Sequence, residues 1–262
     1  MKLTKSFIAY IDILGFSEFV KENSQEPDKV LKFLDDFINI PNTYKEKIDI
    51  YNEYRITAFS DNIVISQKVD SEPNCNKFVD AYRYFVTYIN NFQLASIITL
   101  NALPIRGAIK YGDLYHDDRR PIIFGSAMIQ AYKIENKCAI YPRTVALQEY
   151  LKPEDMIKAS RNIYEILKKP PINEMQFERI HDVRRDTDGI LHCNYLYALC
   201  DLKGGFFPNV FNAINTHKTF IVNGLQKTTE SGDYSVIQKY AWMKSYHNWF
   251  CLAFDELNAY II

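Results

Sequence analysis

The chain has 262 residues, 47% hydrophobic and 24% charged, with a formal net charge of −1 at pH 7. That length suits one large domain or a core with an appended lobe, and the near-neutral balance argues against a general binder of phosphate backbone. Five widely spaced cysteines (Cys75, Cys138, Cys193, Cys200, Cys251) with no C-x-x-C pair argue against a disulfide framework or a zinc site. Met1 to Ser6 leads straight into an apolar run without a signal-peptide pattern, and no run is long enough to span a bilayer. A cytoplasmic, soluble protein with neither nucleic-acid nor membrane partner is expected.

In chain order, the first strand is predicted over 6–14, within Phe7-Ile-Ala-Tyr-Ile-Asp-Ile-Leu-Gly-Phe-Ser-Glu-Phe19. So continuous an apolar run reads as a buried strand, yet it carries a carboxylate, Asp12. A short helix is expected over 16–21, with Ser17 as a cap. A second follows Pro27, apolar at Val30, Leu34, Phe37 and Ile38, and is expected to stop near Pro41. Strands over 53–60 and 62–67 flank Ser60-Asp-Asn62, the residue types of a tight turn, which puts Asp61 at a hairpin tip.

Residues 76–99 form the clearest helix, with Phe78, Tyr82, Phe85, Ile89 and Phe92 on one face. Pro104 precedes a strand, Ile105 to Tyr111. A charged loop is expected from Gly112 to Pro121, then a return strand over 122–124. Gly125-Ser126 opens a helix, Ala127 to Glu135; a short strand, 138–141, and a helix from Pro142 are expected after it. The order β-α-β-β-α-β over 6–150 predicts an α+β, ferredoxin-like (palm) fold, with helices on one side of the sheet. In that order the first strand lies beside the hairpin, so Asp12 and Asp61 are neighbours. Further on, 153–180 reads as helical, His181 to Gly189 as an exposed loop, 190–199 as a strand, and 209–226 and 233–260 as helices. Residues 1–150 are therefore taken as the core domain, and 151–262 as a mainly helical extension packed on it.

Burying a lone carboxylate is unfavourable unless a cation or hydrogen bonds accompany it. Two apolar strands, each presenting one carboxylate, suit a hard divalent cation such as Mg²⁺ or Mn²⁺. The alternative is that Asp12 caps the following helix and Asp61 is only a turn residue. Arg106, Lys110, Lys133 and Arg143 lie near predicted element ends, where each meets a triphosphate or forms a surface charge or ion pair. Ser60 has no G-x-S-x-G elbow and no nearby histidine. Gly107 to Gly112 has Walker-type glycine spacing but lacks the Lys-Ser/Thr that follows it.

The same residues resemble a known family. The Asp-Ile-Leu-Gly-Phe core ending at Phe16 is similar to the first metal motif of class III nucleotidyl cyclases, the adenylate and guanylate cyclase fold. Phe59-Ser-Asp-Asn62 resembles the second metal motif, with Ser where many members have Gly. Ile105-Arg-Gly-Ala-Ile109 and Phe124-Gly-Ser-Ala-Met-Ile-Gln-Ala-Tyr-Lys-Ile-Glu135 look like the later strand and the helix after it. The likeness covers about residues 5–150. In its variant motifs it looks most like the Pycsar pyrimidine cyclases, bacterial antiphage enzymes that make cyclic CMP or cyclic UMP.

The resemblance implies Asp12, Asp61 and the carbonyl of Ile13 as ligands of two Mg²⁺ or Mn²⁺ ions. It implies CTP or UTP as substrate, cyclised with release of pyrophosphate. Lys133 is then placed to hold leaving-group charge, and Phe16, Thr57 and Arg106 lie beside the substrate. A head-to-tail homodimer with the site at its interface is implied, as is a downstream effector that senses the product. Where purine cyclases carry Asn and Arg on the late helix, this chain has Ile129 and Lys133, and the base-reading Lys falls at about Thr57. These departures argue against an ordinary adenylate cyclase. A purine cyclase with altered contacts, and an inactive nucleotide-binding or scaffold protein, are the alternatives. A palm-type polymerase is disfavoured by the neutral charge and the lack of a basic aromatic groove.

Overall fold

The computed structural model describes residues 2–47, 54–73, 75–100, 103–117, 119–147, 149, 181–200 and 206–262. The helix expected over 153–180 and the turn at Gly204-Gly205 lie outside the described residues.

β1 (Thr4–Ile13) is the centre of the fold. It pairs antiparallel with β3 (Asn62–Lys68) on one side and β4 (Ile105–His116) on the other. β2 (Arg55–Phe59) lies outside β3. The order β2-β3-β1-β4, all antiparallel, is that of a ferredoxin-like sheet. The sheet continues past β4 through β6 (Thr144–Val145), β8 (Leu191–Cys193) and β7 (Val183–Arg185). A short β5 (Ile123–Phe124) pairs with the far end of β4.

β1 is buried without a break from Ser6 to Ile11 because both of its faces are covered. Phe7, Ala9 and Ile11 face a core built with α2 (Pro27–Lys47) and α3 (Asn76–Leu100), among them Phe37, Phe78, Tyr82, Phe85 and Phe92. Ile8 and Tyr10 face α4 (Ser126–Cys138), where Ala127 and Ala131 pack on Val64 and Leu114. The expectation of helices on one side therefore holds for α2 and α3, while α4 covers the opposite face. Gly125 admits that helix closely: its φ is 147°, and a Cβ there would stand 2.3 Å from the carbonyl oxygen of Asp113.

Several boundaries differ from expectation for physical reasons. α2 runs on through Pro41 to Lys47, although an interior proline removes one N–H and crowds the preceding turn. β4 extends through the expected loop to His116, because Leu114 and His116 alternate inward while Asp113 and Tyr115 point outward. No strand forms over 138–141: α4 lasts to Cys138, and Arg143 is drawn inward. His181 and Asp182, expected in an exposed loop, are buried where β7 begins. There the Asp182 carboxylate accepts a hydrogen bond from Thr87 Oγ1 at 2.9 Å and faces Arg83 Nε at 3.9 Å.

A second core joins α5 (Val210–Ser231) and α6 (Tyr234–Cys251) to two 3₁₀ turns, Tyr195–Leu199 and Asp255–Tyr260. Leu94 and Ile97 of α3 belong to it, so one helix runs through both cores. Arg143, fully buried, ties the parts together: it donates to Asp186 at 2.7 Å, pairs with Asp188, and Asp186 also accepts from Trp242 Nε1 at 2.6 Å. No helix among the described residues is long and apolar enough to cross a membrane.

Buried histidines line this region. His192 is held neutral, its pKa lowered by burial from the ordinary 6.5 to about 4. His217 and His247 are depressed for the same reason. Their hydrogen bonds fix one proton arrangement. His247 Nε2 faces the Tyr260 carbonyl at 3.0 Å and must donate, so its Nδ1 accepts from His217 Nδ1 at 2.9 Å. His217 Nε2 then accepts from the Tyr195 hydroxyl at 2.9 Å. In the unfolded chain these imidazoles take protons below about pH 6.5 that the native state refuses. Their contribution to stability is therefore full above that pH and falls on acidification. His192→Phe should lose less stability than the wild type between pH 7.5 and pH 5, read as the difference between their urea midpoints; a difference independent of pH would contradict it.

Candidate active site

Side chains on a strand alternate between faces, and register partners share a face. Asp12 stands opposite Asn62 on β3 and Arg106 on β4, so all three point to the α4 side at the end of the sheet. Asp61 follows at the hairpin tip. The Ile13 N–H donates to the Asp61 carbonyl at 3.0 Å, which extends the β1–β3 ladder into the turn and holds Asp61 beside the end of β1. Asn62 Nδ2 donates to Asp61 Oδ1 at 2.9 Å. Ser60 makes the turn with φ 55°, a left-handed conformation that costs a non-glycine residue roughly 1–2 kcal/mol. A glycine would take that conformation without the steric cost.

Arg106 is the hub. Its Nε donates to Asp12 Oδ2 at 2.8 Å and also stands 2.8 Å from Glu135 Oε1 on α4. The N–H is aimed at Asp12, so Glu135 Oε1 is buried with no hydrogen-bond partner among the described residues. Burial raises the pKa of Asp12 against the pull of Arg106, and Asp61 raises it further. Glu135 is raised in the same way, by burial first and then by Asp12 and Asp61, against Arg106. The Tyr10 phenol is pushed well above its ordinary range by burial, then by Glu135 and Asp12. Three carboxylates thus feel one another around one guanidinium, and the end of the sheet is short of positive charge.

The sequence-predicted residues divide accordingly. Asp12, Asp61, Ile13 and Arg106 come together. Asp12 does not cap α1 (Phe16–Glu22). The cap position is Gly15, φ 82°, with no side-chain cap bond, so Ser17 is not the cap either. Phe16 is buried, its ring beside Phe19 and Phe33 with centroids 6.3 Å away in each case, so that ring serves the core. Thr57 Oγ1 is hydrogen-bonded to His116 Nε2 at 2.8 Å, and His116 Nδ1 to Ser66 Oγ at 2.7 Å. Thr57 lies in the row of Val64 and Tyr10, one pleat further from the sheet end than Asp12.

Lys133 is exposed and makes no hydrogen bond or ion pair among the described residues. Two positions before Glu135, it lies some 200° around the helix from the buried face, so it does not reach Asp12 or Asp61 of its own chain. Of the other cations, Arg143 is consumed by Asp186 and Asp188, and Lys110 pairs with Glu149. Sequence reasoning assigned no role to Glu135, although a signal existed: Ala127, Ala131 and Glu135 repeat every four residues along one helix face.

No three His, Cys, Asp or Glu side chains gather at ligating range among the described residues. Mg²⁺ characteristically takes one or two carboxylates together with substrate phosphates. Asp12 and Asp61, with an unpartnered buried Glu135 oxygen behind them, fit that requirement.

No family model and no curated protein matches the chain. Among solved structures, it is similar to the guanylyl cyclase Cya2, at 17% identity over 56% of this chain and 77% of that one, TM-score 0.37. It is also similar to the adenylyl cyclase CyaB from P. aeruginosa, at 17% identity over 57% and 79%, TM-score 0.33. A third is a class III adenylyl cyclase-like ATP-binding protein from Pseudomonas aeruginosa, at 14% identity over 56% of this chain and 34% of that one, TM-score 0.38.

Arg106→Met strands two largely buried carboxylates and should destabilise the fold by roughly 2–3 kcal/mol, somewhat less than for a fully buried pair. Glu135→Gln in that background should recover part of the loss. Urea unfolding of the wild type, both single variants and the double variant reads the coupling; strict additivity would contradict a shared guanidinium.

Proposed function

We propose that this protein is a metal-dependent nucleotidyl cyclase that converts CTP or UTP to the 3′,5′-cyclic monophosphate and pyrophosphate, as second-messenger synthase in bacterial antiphage defence. The observation that carries the reading is the register that sets Asp61 beside Asp12, at a sheet end with surplus negative charge. The pyrimidine preference and the defence role rest on the motif resemblance at Phe59 to Asn62 and along α4.

Asp12, Asp61 and the Ile13 carbonyl would hold Mg²⁺ or Mn²⁺. When bound, two such ions supply Lewis-acid chemistry: they lower the pKa of the ribose 3′-hydroxyl and neutralise the pyrophosphate leaving group. The 3′-oxygen loses its proton and bonds to the α-phosphorus, and the bond to the bridging oxygen of the β-phosphate breaks. No covalent enzyme nucleophile is required. Residues 1–150 carry this chemistry, with the 151–262 extension packed against them.

The outward face of α4 presents Lys133 with Ile129 and Tyr132, and Ile129 is 56% exposed. Phe59 at the end of β2 is exposed as well. Isolated exposed apolar residues are ordinary, but a group of them beside a cation suits an interface. A homodimer in which α4 of each subunit brings Lys133 to the partner's phosphates is the arrangement proposed, with the cyclic product acting on a separate effector.

One observation favours a second reading, nucleotide binding without turnover: Arg106 already engages one oxygen of Asp12. Incubation with Mn²⁺ and each of ATP, GTP, CTP and UTP, with products identified by mass, separates the two. Cyclic CMP or cyclic UMP is expected, and Asp12→Asn or Asp61→Asn should each cut turnover by about 10²–10³-fold, the order of a lost electrostatic stabiliser, with both variants still unfolding cooperatively. Cyclic AMP or GMP alone would indicate a purine cyclase. Bound nucleotide with no product would support the second reading.

A further inference from the structure

A cavity of about 580 Å³ lies at the Asp12 end of the sheet, between the turn after β1 and the α5–α6 pair. Its walls include Leu14 and Gly15, the residues next after Ile13, and Lys227 and Lys239 from the C-terminal helices. Three carboxylates also line it, and each is engaged. Glu18 accepts from Lys21 at 2.7 Å, and Glu22 pairs with Lys227 at 3.2 Å. Asp233 caps α6 by accepting the N–H groups of Ser235 and Val236.

Lys239 differs from these. It is partly buried, yet makes no hydrogen bond or ion pair among the described residues. Burial lowers its pKa first, and the Arg106 guanidinium lowers it further; Asp233 and Asp12 act in the opposite sense. Lys239 in turn lowers the pKa of Asp12. The ammonium therefore sits within the field of Asp12 and Arg106, on a wall that opens one residue beyond the β1 end. An ammonium partly withdrawn from water and without a protein partner gains from an anion that joins it. An anion beside Lys239 would offset its repulsion from Arg106 and gain a charge-assisted contact with the ammonium. The cavity volume falls within the usual range for small-molecule sites.

We propose that Lys239, carried by α6 of the same chain, binds the β- and γ-phosphates of the nucleoside triphosphate, whose polyphosphate tail enters the cavity beside Gly15. This rests on the cyclase reading of the Asp12 end and extends it: the C-terminal helix pair supplies part of the substrate site in cis. Lys239 is a binding residue here, and its effect falls on the phosphate tail and leaves the base alone.

Calorimetric titration of the full chain in Mg²⁺ tests this, with the uncleavable α,β-methylene analogues of CTP and UTP, the matching monophosphates, and inorganic tripolyphosphate. Lys239→Gln should weaken the triphosphate analogue and tripolyphosphate by about tenfold or more, while monophosphate affinity stays within about twofold. Lys239→Arg should restore most of the loss, and all variants should share the wild-type unfolding midpoint. Equal losses for triphosphate and monophosphate, or no loss for either polyphosphate, would overturn the assignment. Tripolyphosphate binding through Lys239 without nucleotide binding would uphold the phosphate site and sink the cyclase reading. Tight nucleotide binding indifferent to Lys239 would do the reverse, and a wild type that binds none of these probes would refute both.

Discussion

A single guanidinium, Arg106, joins the central strand, its antiparallel neighbour and the helix on the far face, because Asp12 and Glu135 share it. Neither carboxylate is well hydrated, so each depends on that charge, and each remains harder to ionise than an ordinary carboxylic acid despite it. The contact is set by the β1–β4 register: a slip of one residue would put Asp12 opposite Ile105 or Gly107 and turn every β1 side chain to the other face. With Asp61 held close by the Ile13 N–H, three acids meet one permanent cation. That imbalance is the physical ground on which a divalent metal is proposed at the sheet end.

The part of this that sequence reveals is the part written in local period. β1 is apolar at successive positions, and the β2–β3 hairpin is marked by Ser60-Asp-Asn62, so the proximity of Asp12 and Asp61 follows from strand order. Ala127, Ala131 and Glu135 show by their spacing that a carboxylate faces the sheet. What local period hides is how far a charged stretch continues inward. Gly112 to His116 reads as loop but is strand, and His181-Asp182 reads as exposed but is buried against α3. Arg143 and Lys239 are ordinary basic residues by any window-based reading. The partners of Arg143 lie more than forty positions away, and the influence of Lys239 on Asp12 arises only when α6 folds back over the β1 turn.

The C-terminal elements are built into the same framework. β8 hydrogen-bonds to β6, α3 contributes to both cores, and Arg143 connects the end of α4 with Asp186 and through it to Trp242 of α6. The Tyr195–His217–His247 relay, closed on the Tyr260 carbonyl, fixes α5 against α6 with every imidazole nitrogen used. A helix pair anchored in this way can present a side chain such as Lys239 to the sheet end with little freedom to withdraw, the condition for precise placement of a binding group.

The central claim, that Asp12 and Asp61 together form a divalent-metal site completed by a nucleoside triphosphate, is tested most directly by electron paramagnetic resonance of Mn²⁺. With the uncleavable CTP or UTP analogue present, the free Mn²⁺ signal should fall on addition of wild-type protein beyond the fall caused by nucleotide alone. Asp12→Asn and Asp61→Asn, each shown to be folded at the assay temperature, should abolish that extra loss. Undiminished Mn²⁺ binding in either variant would contradict the account.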